Sequence, residues 1–343
     1  MRAVVLRQYG GPDALRLEEV PGPSAADDEI LVEVSACGVC GHDLLARQGR
    51  LGTPLPAILG HEISGVVSAV GSAVDGFEVG DRVALVQRDP CGQCPQCTSG
   101  AENLCRRGRG FYGEDQPGGY AGYVRASARN TVKLPPEIGQ DAGAILSCAI
   151  GTGWHALRRT GAARGEIVLV TGAGGGVGLH ALQLCRHLGM HVIAVTGEDS
   201  KRDRLLELGA DSVVVLDPRR ASLRDEVRRA TGGQLADVVL EVAGPPTFSR
   251  SLAALAPRGR LALIGNVDPQ DVVLAPGLVI LKELSVVGSA HGTRADLEAV
   301  LELVTAGHVE PLIAEAMPLA DAAHAHEAPT QGALGRRVLL PRG

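Results

Sequence analysis

Aromatic side chains are scarce in this sequence, because Phe, Trp and Tyr together make up only 2% of its 343 residues. A large core must therefore be built mainly from Val, Leu, Ile and Ala, which the 45% hydrophobic content allows. Concentrated positive charge is also missing, since 33 basic and 39 acidic residues are mixed along the chain and give a net charge of −6. This balance argues against a nucleic-acid-binding protein, which needs a basic face.

The N-terminus lacks the pattern of a secretory signal peptide, so we expect a cytoplasmic protein. One stretch without charged residues, 167–185, is long enough to span a bilayer. Five glycines interrupt its middle, between a strand-like half and a helix-like half. A buried strand, turn and helix explain this stretch better than a membrane span.

The length suits two domains, and the sequence pattern changes between them. Residues 1–135 are predicted to form short strands separated by Gly and Pro, which is typical of a β-rich domain. From about residue 166, apolar strands alternate with helices such as 177–188, which predicts a parallel, doubly wound sheet. The tail after about residue 290 is predicted to contain helices over 295–305 and near 320–327 and a strand over 336–340. We expect this tail to return to the first domain.

Four of the eight cysteines follow the pattern C-x2-C-x2-C-x7-C, namely Cys91, Cys94, Cys97 and Cys105. The short gaps force three thiolates into one tight loop, and the longer return brings in the fourth. Four thiolates with no open position are the ligands of a tetrahedral structural zinc ion. An iron–sulfur cluster is the alternative, but its bacterial run has a shorter last gap followed by Pro. Disulfides are disfavoured because no secretory signal is evident.

A glycine-rich stretch over residues 170–178 follows a predicted strand and opens a predicted helix, which is the setting of a dinucleotide-binding turn. Gly175 would let the backbone approach a pyrophosphate, and Gly178 would let helix and strand pack closely. Amides at the helix start would bind the phosphates. The residues predicted to do so are Gly174, Gly175, Gly176, Val177 and Gly178. No Gly-Lys-Ser/Thr follows, which excludes a nucleoside-triphosphatase phosphate loop.

Residues 60–74 read Gly-His-Glu-Ile-Ser-Gly-Val-Val-Ser-Ala-Val-Gly-Ser-Ala-Val and match the pattern G-H-E-x2-G-x5-G-x2-V throughout. With the cysteine lobe and glycine-rich turn that follow, nearly the whole chain resembles the zinc alcohol dehydrogenases of the medium-chain dehydrogenase/reductase superfamily. The resemblance implies an α/β protein with a GroES-like, β-rich catalytic domain over 1–150 and 291–343, including a structural zinc lobe at 88–108. A Rossmann domain with a doubly wound parallel sheet would bind the cofactor over 151–290.

Position by position, the resemblance implies that Cys40, His61 and Cys148 are the ligands of a catalytic zinc ion. A Cys2His site leaves the fourth position for water or a substrate oxygen. Glu62 matches the acidic residue behind the metal that can transiently replace water in that family. Asp43 matches the carboxylate that orients the ligand histidine.

The choice between cofactors depends on the end of the second strand of the cofactor domain. An acidic residue there would bind the ribose of NAD, but the sequence reads Val195-Thr196-Gly197. The missing carboxylate and nearby cations favour NADP(H) over NAD(H), although Glu198 and Asp199 could serve the ribose. The residues expected around the extra phosphate are Thr196, Ser200, Lys201 and Arg202. Thr152 and Arg336 match family positions near the nicotinamide and the pyrophosphate.

The leading functional prediction is a zinc dehydrogenase that acts on a small-molecule substrate, an alcohol or its carbonyl. Reduction of a conjugated double bond is a second possibility, and a non-enzymatic zinc-scaffold protein is a third. An open zinc site argues against the third, because a scaffold has no use for it. The strand predicted near residues 284–288 resembles the edge that pairs across dimers in this family, which implies a homodimer or homotetramer.

His42 departs from the family pattern. The family usually has Ser or Thr two residues after the first cysteine ligand, and often a histidine three positions later, which together pass the substrate proton to solvent. Here those places hold His42 and Leu45. His42 could take the proton itself, since imidazole titrates near neutral pH. Otherwise no proton moves to oxygen there, as in reduction of a conjugated carbon, or His42 only fills space.

Overall fold

The computed structural model describes residues 1–216, 222–266, 268–327 and 333–342. Within these ranges the strands, in chain order, are β1 (Arg2–Leu6), β2 (Leu15–Glu19), β3 (Glu29–Gly38), β4 (Glu62–Val70), β5 (Arg82–Leu85), β6 (Arg88–Asp89), β7 (Gly110–Phe111), β8 (Tyr123–Ser127), β9 (Thr131–Lys133), β10 (Ile167–Val170), β11 (His191–Thr196), β12 (Ser212–Val215), β13 (Ala236–Glu241), β14 (Leu255–Leu263), β15 (Ser285–Gly288), β16 (Ile313–Pro318) and β17 (Arg336–Leu340).

The helices of the same ranges are α1 (Gly41–Arg47), α2 (Pro95–Thr98), α3 (Gln140–Ile145), α4 (Gly151–Thr160), α5 (Gly176–His187), α6 (Arg202–Glu207), α7 (Leu223–Ala230), α8 (Phe248–Ala254), α9 (Pro276–Lys282), α10 (Arg294–Thr305) and α11 (Ala322–Ala325). A π-helical turn, Leu146–Ile150, directly precedes α4. None of the helices in the described ranges is both long and apolar enough to cross a membrane.

The catalytic half is built on a mixed sheet with the strand order β16-β17-β3-β4-β5-β9, in which β8 also pairs with β3. β3 and β4 are antiparallel and form its centre. Every second residue of β3 from Ile30 to Ala36 is fully buried, so period-two patterning packs this strand against the core. The register pairs Gly38 at the end of β3 with Glu62 at the start of β4, and this corner carries the candidate site.

The second half contains a six-stranded parallel sheet in the order β12-β11-β10-β13-β14-β15, which confirms the predicted doubly wound sheet. The central strand β10 is buried along its whole length, as expected for a strand covered by helices on both faces. Helix α5 was predicted from 177 and begins at Gly176. The chain adds strands on one side of β10 up to β12 and then on its other side from β13. Such a change in strand order is the point at which parallel sheets bind ligands.

The C-terminal tail returns to the first sheet through β17, which pairs with β3 as well as with β16. The predicted final strand over 336–340 is present, and α10 begins one residue earlier than predicted. The helix predicted near 320–327 is a 3-10 turn, Leu319–Asp321, followed by the short α11. Strand β16 was not predicted, because this edge strand is mostly exposed and lacks an alternating apolar pattern. The residues at which one domain passes into the other stay a prediction.

Candidate active site and metal centres

Four side chains of metal-ligand type meet at the corner between β3 and β4. Cys40 immediately precedes α1, Glu62 begins β4 with His61 before it, and Cys148 lies in the π-helical turn. The antiparallel register of β3 and β4 places the His61–Glu62 pair beside the end of β3 and thus near Cys40. One ligand atom from each of the four residues lies within 4.8 Å of all the others.

The spacing of this cluster fits a tetrahedral zinc ion. Sγ of Cys148 lies 3.5 Å from Nε2 of His61. Zinc bonded to sulfur at ~2.3 Å and to nitrogen at ~2.05 Å would separate these two atoms by about 3.6 Å. His61, Glu62 and Cys148 are buried, whereas Cys40 is partly exposed. The donor set therefore suits zinc, and three protein ligands would leave the fourth position for water or a substrate oxygen.

Asp43 orients the histidine of this cluster. Its Oδ1 lies 3.1 Å from Nδ1 of His61, which directs the other ring nitrogen towards Cys148. Its Oδ2 accepts a hydrogen bond of 2.9 Å from the backbone N–H of Cys40. Burial lowers the pKa of His61, but the Asp43 carboxylate more than compensates, so the pKa ends well above its ordinary value. Asp43 thus fixes both the position and the tautomer of the imidazole.

Glu62 is fully buried and forms an ion pair with Arg336, whose Nη2 lies 2.7 Å from Oε1. Burial raises the pKa of Glu62 to about 7, and the positive charge of Arg336 limits that rise. Gly38 makes room for the carboxylate, since a Cβ there would lie 2.0 Å from Oε2. Nη2 of Arg336 also lies 3.8 Å from Sγ of Cys40. Arg336, predicted only as a cofactor residue, therefore also belongs to the metal cluster.

The two cysteine thiols of the cluster differ in acidity. A hydrogen bond from Cys148, together with the charge of Arg336, holds the pKa of Cys40 well below its usual range. The same hydrogen bond and burial raise the pKa of Cys148. One thiolate is thus stabilised by the protein itself, which favours metal capture because only the thiolate is a ligand.

Phe111 lies at the centre of a group of aromatic rings beside the cluster. Its ring centroid is 5.0 Å from His61, 5.1 Å from His42 and 4.7 Å from His291. Nε2 of His42 lies 2.5 Å from Oε1 of Glu114. The side chains of His42 and Glu114 are 32% and 26% exposed, so the pair connects the neighbourhood of the metal cluster with solvent.

Phe111, Glu114 and His291 join this site although no sequence pattern identified them. The first two lie in β7 and the loop after it, where no periodicity indicates which side chains point inward. His291 has a positive φ of 55° and follows β15. Burial lowers its pKa to about 3, and the neighbouring His61 and His42 contribute. Its place after the carboxyl end of a parallel strand, where such sheets bind ligands, was the signal available in the sequence.

The four-cysteine lobe forms a second, separate cluster. Its Sγ–Sγ distances are 3.5 Å between Cys94 and Cys97, 3.7 Å between Cys94 and Cys105, and 3.9 Å between Cys91 and Cys97. Four thiolates at ~2.3 Å from one zinc ion would lie about 3.8 Å apart. Backbone N–H groups of Cys91 and Arg107 donate to Sγ of Cys105, and these bonds lower its pKa to about 6 against the effect of burial. The lobe thus fits a closed tetrahedral site.

The lobe also contacts the segment that carries His291. Nδ2 of Asn103 donates a hydrogen bond of 2.6 Å to the carbonyl oxygen of Ala290. Oε1 of Glu102 accepts a hydrogen bond of 3.0 Å from the backbone N–H of Arg294. These two contacts anchor the chain on either side of His291 to the cysteine lobe.

The glycine-rich turn joins the carboxyl end of β10 to the start of α5, as predicted. A Cβ on Gly178 would lie 2.4 Å from the carbonyl oxygen of Gly172, so only glycine lets helix and strand approach this closely. A Cβ on Gly176 would lie 2.6 Å from Nη1 of Arg336, which places this guanidinium at the amino end of α5. Thr152 is buried in α4, just after the π-helical turn. The predicted phosphate-binding residues form one segment at this helix start, namely Gly174, Gly175, Gly176, Val177 and Gly178.

Lys201 lies against the glycine-rich turn, because a Cβ on Gly174 would be 2.6 Å from Cδ of Lys201. Its Nζ forms an ion pair of 2.6 Å with Oε1 of Glu198. Thr196 is buried at the end of β11, and its hydroxyl accepts a hydrogen bond from the backbone N–H of Glu198. Lys201 and Thr196 therefore lie where the ribose end of a dinucleotide is expected.

Arg202 points away from this turn towards β12. Its Nη1 donates a hydrogen bond of 2.8 Å to the carbonyl oxygen of Val213, and its Nε lies 2.9 Å from Oδ1 of Asp199. Ser200 is exposed beside it. Of the two predicted phosphate-binding cations, Lys201 is the one placed against the glycine-rich turn.

Comparison with known families assigns both halves of the chain. The family described as "Alcohol dehydrogenase GroES-like domain" matches residues 26–136. The family described as "Zinc-binding dehydrogenase" matches residues 176–306. The first match contains the cysteine lobe and two of the three predicted ligands of the catalytic zinc, and the second contains the start of α5 and the five strands that follow.

Individual relatives cover almost the whole chain. An acryloyl-coenzyme A reductase from Sulfurisphaera tokodaii is 37% identical over 93% of this chain and 93% of its own length. An alcohol dehydrogenase from Geobacillus stearothermophilus is 35% identical over 99% of each chain. The crystal structure of AibC superposes with a TM-score of 0.91 at 42% identity, covering 99% of this chain and 95% of that one.

Proposed function

Because the chain belongs to the zinc-type alcohol dehydrogenase family of the medium-chain dehydrogenase/reductase superfamily, we propose that it transfers hydride between NAD(P)(H) and the carbonyl carbon of a small alcohol or carbonyl substrate. The cluster of Cys40, His61 and Cys148 carries this proposal, since its spacing suits tetrahedral zinc and a Cys2His set leaves the fourth position open. Zinc bound there would act as a Lewis acid that polarises the substrate oxygen.

The other residues of the cluster have separate tasks in this proposal. Asp43 holds the imidazole of His61 in its ligand tautomer. Glu62 is available as a further oxygen ligand, and its ion pair with Arg336 controls how readily its carboxylate can move. Because Arg336 also lies at the amino end of α5, it would connect the metal cluster to the cofactor pyrophosphate.

The proton of the hydroxyl group would pass through His42. This residue occupies the place of the family hydroxyl, lies beside the metal cluster and contacts Glu114 on the side towards solvent. An imidazole in contact with a carboxylate can donate a proton to a forming alkoxide and regain one through its partner. The missing relay through Ser or Thr and a second histidine is thereby replaced by a shorter one.

NADP(H) is the cofactor we propose in preference to NAD(H). Thr196 ends the strand where an acidic residue would exclude a 2′-phosphate, and Lys201 lies against the glycine-rich turn beside it. The ion pair with Glu198 competes with phosphate for this ammonium group. A phosphate carries more charge than one carboxylate, which favours the exchange of partners.

Reduction of a conjugated double bond is the second candidate. It is favoured by the 37% identity to an acryloyl-coenzyme A reductase, and by the departure of His42 and Leu45 from the family relay. In that reaction the polarised oxygen belongs to a conjugated carbonyl, hydride adds to the carbon β to it, and a proton adds to the α carbon. The same metal cluster and cofactor site would serve.

Product analysis separates the two candidates. Purified protein with two zinc ions would be given pairs of substrates, such as a saturated aldehyde and an α,β-unsaturated acyl thioester of the same carbon skeleton. NADPH and NADH would be supplied in separate assays. The leading proposal expects carbonyl reduction to the alcohol, faster with NADPH. Saturated thioester as the only product would replace it by the second candidate, and faster turnover with NADH would overturn the cofactor choice.

We also propose that the chain forms a homodimer through the outer edge of β15, and dimers of this kind can assemble further into a homotetramer. β15 is the last strand of its sheet, and its outer edge pairs with no strand in the described part of the chain. Large apolar side chains in the segment that precedes β15 are exposed, among them Val273, Ile280 and Leu281 at 84%, 71% and 87%. Light scattering should give at least twice the chain mass, and Leu281→Glu should lower it, whereas a monomeric unmutated protein would contradict the proposal.

A further inference from the structure

A chain of hydrogen bonds continues behind the metal cluster to the C-terminal tail. Oδ2 of Asp43 accepts a hydrogen bond of 3.4 Å from the hydroxyl of Tyr120. The Tyr120 oxygen in turn lies 2.9 Å from Nε2 of His326. Tyr120 is completely buried, and Asp43 and His326 are each 2% exposed. The tail is thus linked through three buried side chains to His61.

The protons in this series of hydrogen bonds can be assigned by counting donors. Burial raises the pKa of Tyr120 well above its ordinary value, so its hydroxyl keeps its single proton. If that proton is donated to Asp43, the Tyr120 oxygen must accept one from Nε2–H of His326. If Tyr120 donated its proton to His326 instead, the oxygens of Tyr120 and Asp43 would be in contact with no proton between them.

The surroundings of His326 agree with this assignment. Burial lowers its pKa to about 4, and the buried guanidinium of Arg47 contributes, so the ring is neutral and carries one proton. Its Nδ1 is buried and has no hydrogen-bond partner within the described ranges. Buried N–H donors without a partner are rarer in proteins than buried acceptors without one, which again places the proton on Nε2.

Tyr120 also packs against the chain next to the ligand histidine. A Cβ on Gly60, which has a φ of +96°, would lie 2.5 Å from Cδ1 of the Tyr120 ring. The ring therefore lies directly against the residue before His61. Tyr120 thus contacts both the carboxylate that orients His61 and the backbone that leads into it.

We propose that Tyr120 and His326 are positioning residues of the candidate catalytic metal site, and that their hydrogen bonds fix Asp43 so that His61 presents Nε2 to the metal. The inference rests on the proposed function only in taking this cluster as a metal site. The pair acts through Asp43 and touches neither substrate nor cofactor. Nothing in the sequence connects these residues, which are 206 positions apart.

The test measures metal binding at this one site. The protein is prepared with zinc in the cysteine lobe and Co²⁺ in the Cys40–His61–Cys148 cluster, and Co²⁺ affinity is determined by competition with a chelator. Loss of a partner in such an outer layer typically weakens metal binding by roughly 10–100-fold. We expect Tyr120→Phe and His326→Leu each to weaken Co²⁺ binding by about tenfold and to shift its visible absorption bands.

His326→Gln separates positioning from packing, because Gln retains an N–H donor and should restore the affinity and spectrum that His326→Leu loses. The double variant Tyr120→Phe/His326→Leu should be no worse than Tyr120→Phe alone, since both remove one hydrogen-bond chain. His324→Leu, an exposed change in α11, which directly precedes His326, should have no effect. Wild-type affinity and spectrum in folded Tyr120→Phe would overturn the inference. Unmutated protein that binds metal only in the lobe would overturn the proposed function as well.

Discussion

The two metal clusters are built in opposite ways. The cysteine lobe takes all its ligands from residues 91–105, and its sulfurs contact one another and nearby backbone amides. The second cluster takes its ligands from positions between Cys40 and Cys148 and adds a buried Glu62–Arg336 ion pair and the orienting Asp43. A local loop of this kind would depend on a bound metal for its shape, whereas the second cluster is assembled by the mixed sheet and the π-helical turn. Metal loss should therefore unfold the first and only inactivate the second.

The largest effect is expected from Cys148→Ser. This variant should lose the metal of the Cys40–His61–Cys148 cluster. The turnover rate should then fall by more than the roughly 10²-fold that loss of an outer-layer partner causes. Its melting temperature should stay close to that of the unmutated protein, because the fold holds this corner together. Metal analysis and initial rates provide the measurement, and Cys185→Ala, at a buried cysteine of α5, is the control. Two metals per chain in Cys148→Ser would contradict the assignment.

Cys97→Ser makes the reverse test on the lobe. Binding of a structural metal contributes directly to folding, so the melting temperature should fall by roughly 10 °C or more. The fraction that remains folded should still bind one metal at the Cys40–His61–Cys148 cluster. Calorimetry together with metal analysis checks both statements. A variant that melts like the unmutated protein would show that the two clusters do not differ in the way described.

His42→Ala sharpens the comparison at the side of the second cluster that faces solvent. Carbonyl reduction should fall by roughly 10²–10⁴-fold, the usual size of a general acid–base contribution, while cofactor binding and metal content are kept. The exposed residue His324 provides a matched control, since His324→Ala should leave the rate unchanged. An unaltered rate and pH profile in His42→Ala would reject its role as the proton route.

Lys201→Ala gives the smallest of these effects and should leave both metal clusters intact. Loss of a charge-assisted phosphate contact weakens binding by about 1.5–3 kcal/mol, so NADPH affinity should fall by roughly 10–150-fold. NADH affinity should change little, because NADH has no 2′-phosphate. Titration of each cofactor by fluorescence tests the difference. Arg202→Ala is the control, since its guanidinium already binds Asp199 and the backbone of Val213.

Much of the fold followed from the sequence, because burial leaves strong patterns in it. β10 is a continuous apolar strand, and the first turn of α5 requires glycine at Gly178, so both were predictable from residue types alone. The cysteine lobe was predictable for a different reason, since its ligands are close in sequence and their spacing is diagnostic. β16 was missed because an exposed edge strand carries no such pattern.

The surroundings of the second cluster could be predicted less well. Asp43 and the residues matched to zinc ligands came from the resemblance, and the structure brings them together. Glu114 and His291 reach the site from the loop after β7 and from the segment after the edge strand β15, where only tertiary packing decides which side chains point inward. The second contact of Arg336, with Glu62, was missed for the same reason.

The hydrogen bond from Asn103 to Ala290 gives the cysteine lobe a meaning for protein engineering. Because this bond and that of Glu102 hold the chain on both sides of His291, the lobe supports the segment that places His291 against Phe111. The lobe therefore cannot be removed or replaced independently of this segment. Shortening the lobe, or exchanging it for that of a relative, should also displace His291 and Phe111 beside the candidate metal cluster, even where the rest of the chain is untouched.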